Sequence, residues 1–139
     1  TIIGDLGNDQ IAGVTNPSVN STDLGRNQID TLTGRAGSDR FLLADSRGVF
    51  YNDGNTNLSG TGDYALITDF NSTSDLLQLK SGFQYLYRYS GGNTEIYLGN
   101  GDGSFTSSDE LIARLQAVNL TPGGLVYILA NTTSWISLV

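Results

Sequence analysis

A nine-residue unit repeats near the amino terminus of this chain and constrains its fold more than any other feature. Two copies run back to back through residues 25–33 and 34–42, and a third copy spans residues 4–12. Each copy has glycine at its first position, aspartate at its sixth and a large apolar residue at its eighth. A unit this short has almost no core of its own, so the copies must stack on one another to bury apolar surface.

The last part of each unit predicts a short β segment with one apolar side chain pointing inward and polar neighbours pointing outward. Two units make one full coil, so copies nine residues apart lie on opposite sides of the coil and copies about eighteen residues apart stack. This arrangement buries Ile11, Leu32 and Phe41 in a thin apolar column. The alternative interpretation is a set of ordinary turns, rich in glycine and aspartate, within a β protein.

The turns of the repeats have the chemistry of a site for a hard cation. Glycine permits a positive φ and a close backbone approach, so carbonyl oxygens can converge, and the aspartate adds a carboxylate. Calcium fits this oxygen cage better than zinc, because the chain contains no Cys and no His.

These units resemble the calcium-binding nonapeptide G-G-x-G-x-D-x-U-x of the RTX family. The resemblance implies a parallel β-roll with calcium bound at its turns. The second glycine of the motif is replaced in every copy, by Asp5, Arg26 and Arg35, and the later glycine of the middle copy is Gln28. Each substitution makes a positive φ more costly, so we expect a short and degenerate roll.

We expect about one well-formed calcium site in this roll, between the loops that carry Asp9 and Asp30. A poorer site is expected where Asp39 faces residues 13–24, the segment that replaces a fourth unit. The candidate ligands in the roll are Gly4, Leu6, Asn8, Asp9, Asn27, Asp30, Gly34, Ala36, Ser38 and Asp39.

The segment after the repeats, residues 66–70 followed by residues 75–79, resembles the corresponding segment of serralysin-type and cyanobacterial RTX carboxyl-terminal domains. The resemblance implies that acids there help to close the roll and hold calcium, which points to Asp69 and Asp75. Turn-forming acids are an equally good interpretation of these two residues. The similarity to cyanobacterial members extends to residues 51–55 and 62–66, and it implies that Asp53 and Asp63 are further calcium ligands.

A second kind of metal loop is suggested further along. Asn100, Asp102 and Asp109 can be placed at the third, fifth and twelfth positions of an EF-hand loop, but Leu98 then occupies the first position, where an acid is needed. Binding there is expected to be weak. Ser107 and Glu110 form a capping-box pattern that predicts a helix to about residue 118, with Leu111, Leu115 and Val118 on one face.

Alternating apolar residues predict strands in the remainder of the chain. Residues 83–89 and 94–98, joined by Ser-Gly-Gly-Asn, predict a hairpin, and residues 125–130 and 134–139 predict two final strands. Tyrosines 85, 87 and 89 share one face of the first strand, which suits a carbohydrate or protein partner but is more typical of a partly buried sheet face. The predicted fold is all-β: a short parallel β-roll over residues 1–60 that continues into a β-sandwich-like capping or secretion part, residues 61–139, with one helix.

Composition limits the possible functions. The formal net charge of −7 argues against nucleic acid and anionic membranes as partners, and the sequence has no apolar run long enough to insert into a membrane. Without His or Cys the chain cannot form a Ser-His-Asp or Cys-His arrangement or a catalytic zinc site, so we predict that it is not an enzyme. The chain starts at Thr1 and contains no Met, from which we expect a processed product or the end of a longer protein.

Two classes of function follow. The first is a bacterial extracellular calcium-binding module, which is disordered by its own charge at low calcium inside the cell and folds at higher calcium outside. The RTX resemblance implies that its carboxyl-terminal part, from about residue 90, carries a type I secretion signal. The alternative is a self-assembling structural subunit of an extracellular fibre, surface layer or matrix, in which the open end of the roll meets an upstream domain or a second copy head to tail.

Overall fold

A computed structural model describes residues 1–14, 22–55 and 60–120, together with the backbone of residues 126–129 and 135–136. This part of the chain is all-β and contains no helix, and so none that could span a membrane. The strands are β1 (Ile2–Ile3), β2 (Gln10–Ile11), β3 (Ile29–Thr33), β4 (Arg40–Leu42), β5 (Ala44–Asp45), β6 (Gly48–Val49), β7 (Tyr64–Ile67), β8 (Leu76–Gln78), β9 (Gln84–Ser90), β10 (Asn93–Leu98), β11 (Glu110–Leu115), β12 (Val126–Leu129) and β13 (Trp135–Ile136).

The first half of the chain winds back and forth between two parallel sheets. Strands β1, β3 and β7 are neighbours in one sheet, and β2, β4 and β8 are neighbours in the other. We call these six strands, with their connecting turns, the coil stack. Copies of the repeat that are nine residues apart lie in different sheets, as the pattern predicts, since Leu32 lies in β3 and Phe41 in β4.

The stacking distance along the sequence differs from the prediction. The turn at Asp9 stacks on the turn at Asp39, 30 residues later, and that turn stacks on Asp75, 36 residues later. The predicted spacing of about eighteen is wrong because residues 13–24 and 43–63 lie between consecutive units of the stack. Each coil therefore carries an insertion. The apolar residue at the eighth position of each unit still points into the core.

The second half of the chain extends the larger sheet with antiparallel strands. Strand β11 pairs parallel with β7, and β10, β9 and β12 follow in antiparallel order. The predicted hairpin is confirmed, because Asn93–Leu98 pairs with Gln84–Ser90. Tyr85 and Tyr87 are buried and Tyr89 is 47% exposed, so the tyrosine face lies against the core over most of its length.

The predicted helix is wrong, because residues 110–115 form strand β11 between β7 and β10. Leu111 and Leu115 fit a helical face, but Ile112 and Ala113 between them are also fully buried. A central strand needs apolar side chains on both faces, and a bulge in the β10–β11 pairing shifts the alternation by one residue. The side chain of Glu110 does not form the capping box; it lies beside Asp53.

The larger of two apolar clusters among the described residues fills the space between the two sheets. Ile11, Leu32 and Phe41 are at most 3% exposed, and Phe41 packs against Phe70 with 6.1 Å between ring centroids. The cluster continues into the inner face of the hairpin, including Ile96. Burial of this surface is the main stabilising contribution to the fold. It also holds in place the strands at whose ends the acidic residues lie.

Candidate metal centre

Three carboxylates from distant parts of the chain meet at one edge of the larger sheet. Asp53 lies in the loop after β6, Asp63 immediately precedes β7, and Glu110 is the first residue of β11. One oxygen from each side chain lies within 4.8 Å of the others. The convergence follows from topology, because β7 and β11 are parallel neighbours and their amino-terminal ends lie side by side.

The carboxylate oxygens of this cluster are only partly engaged by hydrogen-bond donors. Asp63 is fully buried; its Oδ2 accepts the Asn27 N–H at 3.1 Å, whereas its buried Oδ1 has no partner among the described residues. Glu110 is 5% exposed, and its Oε1 accepts the Asp53 N–H at 3.4 Å. A buried carboxylate oxygen without a donor is unfavourable unless a cation binds it.

The electrostatics of the cluster also favour a bound cation. The pKa of Glu110 is raised to about 7, mainly by burial and in part by the negative charges of Asp53 and Asp63, while the hydrogen bond from the Asp53 N–H opposes the rise. Burial likewise raises the pKa of Asp63, with a contribution from the charge of Asp53, although the Asn27 N–H and the charge of Arg26 oppose it. A divalent cation would relieve both the desolvation and the mutual repulsion of these carboxylates.

A glycine lets the loop before Asp63 close over Glu110. Gly60 has φ of 55°, and a Cβ at this position would lie 2.5 Å from Cδ of Glu110 and 2.7 Å from the backbone nitrogen of Leu111. Both the backbone conformation and the close approach favour glycine. The cluster is therefore enclosed by backbone on the side of residue 60.

The donor set suits a hard cation. All three side chains are carboxylates, and calcium prefers six to eight oxygen ligands, of which carboxylates, backbone carbonyls and water supply the usual mixture. The absence of Cys and His from the whole chain removes the ligands that zinc and other soft metals prefer. This cluster of three acidic residues could hold a metal ion.

The aspartates of the smaller sheet form a ladder across the coil stack. Oδ1 of Asp39 accepts the Asp9 N–H, and Oδ1 of Asp75 accepts the Asp39 N–H, both at 3.0 Å. The second oxygen of Asp75 accepts the Asn71 N–H at 2.9 Å, and that of Asp9 accepts the Asp5 N–H at 3.0 Å. Among the carboxylate oxygens of this ladder, only Oδ2 of Asp39 is buried without a hydrogen-bond partner among the described residues. The ladder uses most of its carboxylate oxygens to bind backbone donors.

The structure does not bring Asp9 and Asp30 together in one site, contrary to the prediction. Asp9 adjoins the smaller sheet next to Asp39, whereas Asp30 lies in β3 of the larger sheet and accepts the Tyr51 hydroxyl at 3.1 Å. Asp69, also on the larger-sheet side, accepts the N–H groups of residues 34 and 35 at 2.9 and 2.7 Å. The poorer site predicted opposite residues 13–24 involves positions 15–21, which lie outside the described residues.

The remaining candidates in the roll shape its turns. Leu6 and Ala36 form a parallel β-bridge, and the side-chain oxygen of Asn8 accepts the Ser38 N–H at 2.8 Å. The Gly4 N–H donates to the Thr33 carbonyl, and the Gly34 N–H donates to Asp69. The Asn27 N–H donates to Asp63, and the backbone of Asn27 has a φ of 58°. These contacts align one turn on the next.

The loop that resembles an EF-hand supplies its own donors. Asp109 is 1% exposed and accepts the N–H groups of Asn100 at 3.0 Å and Thr106 at 2.6 Å. Asp102 accepts the Ser104 N–H and an amide hydrogen of Asn100. The loop is thereby closed as the connection between β10 and β11, with its most buried carboxylate occupied on both oxygens.

The sequence predicts Asp53 and Asp63 as metal ligands but does not predict Glu110 as one. The sequence pattern predicts Glu110 at a helix cap, whereas the strand at residues 110–115 places it beside Asp63. The signal in the sequence was an acid at the start of an apolar run, which fits a strand as well as a helix.

No protein-family model matches this chain, and no curated protein is significantly similar to it.

Proposed function

We propose that this chain is an extracellular calcium-binding module, related in design to RTX β-rolls, whose native fold is completed by calcium. The observation that carries the proposal is the enclosed cluster of Asp53, Asp63 and Glu110, in which Oδ1 of Asp63 is buried without a donor. The winding of the nonapeptide copies between two parallel sheets, with an aspartate at each turn, supports the kinship to a β-roll.

The cluster suits regulation by extracellular calcium. Its carboxylates are costly to ionise inside the protein, so the metal-free state is destabilised where calcium is scarce. A cation that binds only the native state stabilises it by about 2.7 kcal/mol at a concentration one hundred times the dissociation constant. Calcium outside the cell would therefore favour the complete fold, and low calcium inside a bacterium would leave the fold less stable. The RTX resemblance further suggests that residues from about 90 onward form the type I secretion region.

The proposal is tested by calcium titration of the purified chain, with binding followed by calorimetry and structure by circular dichroism. Asp63→Asn removes a ligand charge at the centre, and Asp5→Asn is a matched control because the Asp5 side chain is 80% exposed and lies outside the cluster. We expect saturable binding by the parent chain and by the Asp5 variant, and its loss in the Asp63 variant. Equal binding by all three chains, or by none, would contradict the proposal.

A structural subunit of an extracellular assembly is the second candidate, and one observation favours it. Strands β1 and β2 are the outermost members of their sheets in the coil stack, and the nearby side chains of Ile2, Ile3 and Leu6 are 36%, 50% and 81% exposed. An open strand edge with exposed apolar residues favours pairing with another chain. Light scattering over a range of protein concentrations, with and without calcium, tests this: mass that grows with concentration supports assembly, and a constant monomer mass excludes it.

A further inference from the structure

We infer, on the basis of the proposed function, that calcium acts as a clasp between the coil stack and the terminal hairpin rather than as the trigger that folds the coils. We use the term terminal hairpin for the hairpin of β9 and β10 together with β11, the strand that pairs with β10. The clasp is the cluster of Asp53, Asp63 and Glu110, and the seam is the pairing of β7 with β11.

The position of the cluster is the first argument. Asp53 and Asp63 belong to the last coil of the stack, whereas Glu110 belongs to the terminal hairpin, so an ion held by all three links the two parts. The seam continues from this point through the parallel pairing of residues 65–67 with residues 113–115 and ends at the bond from the Gln116 N–H to the Ile67 carbonyl at 2.9 Å. The cluster is at the edge where this pairing begins.

The charges at the seam are the second argument. Without a cation, three carboxylates face one another at the amino-terminal ends of β7 and β11, and repulsion there opposes the docking of the hairpin. Arg26 is the positive group that acts on Asp63, but its Nε donates to the Asn52 carbonyl at 3.0 Å and its side chain is exposed. Its charge therefore screens the cluster without bridging the carboxylates.

The contrast with the coil stack is the third argument. Both oxygens of Asp75 and both oxygens of Asp69 accept hydrogen bonds from the backbone, and Asp9 accepts one from its own turn. These aspartates already satisfy the turns of neighbouring coils, and the apolar column that includes Ile11 and Phe41 holds the two sheets together. The coils are therefore stabilised without a cation, whereas at the seam the same apolar core and the β7–β11 pairing are opposed by three facing carboxylates.

The test is amide hydrogen exchange of the full chain, resolved by residue, in chelator and in millimolar calcium, with calorimetry on the same samples to report binding. In chelator we expect the amides of β3 and β4 to stay protected while those of β11, and that of Gln116 just after it, exchange at least about tenfold faster than in calcium. Glu110→Gln, which removes one of the facing charges and keeps the shape, should restore protection of β11 in chelator. Asp5→Asn should behave as the parent chain.

Each outcome separates the clasp from the function on which it rests. If calcium binds but the exchange of β11 does not change, the clasp is overturned and the calcium-binding function stands. If every amide is unprotected in chelator and becomes protected in calcium, calcium is a global folding trigger and the clasp is again overturned. If calorimetry detects no calcium binding, both the function and the clasp are overturned.

Discussion

Replacing Glu110 by Gln should make the metal-free protein more stable and at the same time abolish its stabilisation by calcium. The substitution keeps the shape of the side chain and an oxygen that can accept the Asp53 N–H, which lies 3.4 Å from Oε1 in the parent chain. It removes one of the three negative charges of the proposed calcium site. The two effects have opposite signs, and few other substitutions would produce them together.

The magnitude follows from the pKa of Glu110, which is raised from its ordinary 4.5 to about 7. The native state holds this proton more tightly than the unfolded chain does, so stability falls as pH rises from about 4.5 to about 7 and the loss is complete above that range. Since a tenfold change in proton affinity corresponds to about 1.4 kcal/mol, the ionised side chain costs about 3 kcal/mol. Glu110→Gln should recover up to about that amount at mildly alkaline pH and almost nothing near pH 4.

The assay is urea or thermal unfolding of the parent chain and the Glu110→Gln variant at both pH values, in chelator and in calcium. For a chain of this size, about 3 kcal/mol corresponds to a rise of about 10 °C in the midpoint of thermal unfolding. Calcium should raise the midpoint of the parent and leave that of the variant unchanged. The reasoning fails if the variant is no more stable than the parent at alkaline pH in chelator, or if calcium stabilises both chains equally.

Three further substitutions test other parts of the structure. Asp75→Ala removes a buried carboxylate that accepts backbone hydrogen bonds with both oxygens, and should cost about 3 kcal/mol in urea unfolding, equally in chelator and in calcium. Tyr51→Phe removes the hydroxyl that donates to Asp30 at 3.1 Å, and should lower the free energy of unfolding by about 1 kcal/mol in the same assay. Phe105→Ala removes an edge-on ring contact with Tyr97 at 4.7 Å between centroids, and should cost about 2 kcal/mol while calorimetric calcium binding is unchanged.

The phase of the repeat predicted the core but not the spacing of the coils. Ile11, Leu32 and Phe41 follow from the eighth position of the unit, because a side chain that must face inward in every coil leaves a periodic mark in the sequence. The insertions leave no such mark. A loop of any length can leave the stack and return to it at a small cost in closure entropy, so the period along the chain does not reveal which unit stacks on which.

The type of element at residues 110–115 was ambiguous for a physical reason. Apolar side chains at Leu111, Ile112, Ala113 and Leu115 suit a buried helix or a strand covered on both faces, and the short run offers no length criterion. The choice is made by tertiary pairing, because β7 and β10 each offer β11 a row of backbone partners. As the first residue of this strand, Glu110 lies in the candidate centre instead of at a helix cap.

The roles of the acids could be predicted as a class but not individually. The sequence identifies aspartates at turns, where a carboxylate binds either a backbone N–H or a cation. Which of the two applies depends on what the neighbouring coil presents. Asp75 meets the N–H of Asp39 from an adjoining turn, and Asp109 meets two N–H groups of its own loop. Such donors come from residues far away in the sequence or from a loop closure that the local pattern does not determine.

The seam differs from the coil stack in how hydrogen-bond donors and acceptors meet between neighbouring elements. Within the stack, the backbone N–H of one turn meets the carboxylate of the next, as Asn27 meets Asp63. At the following step the sheet changes from parallel coils to an antiparallel hairpin, and the element beside Asp63 presents the carboxylate of Glu110 instead of a donor. Two acceptors then face each other with Asp53 beside them. Protonation of one carboxylate or binding of a cation would resolve this conflict.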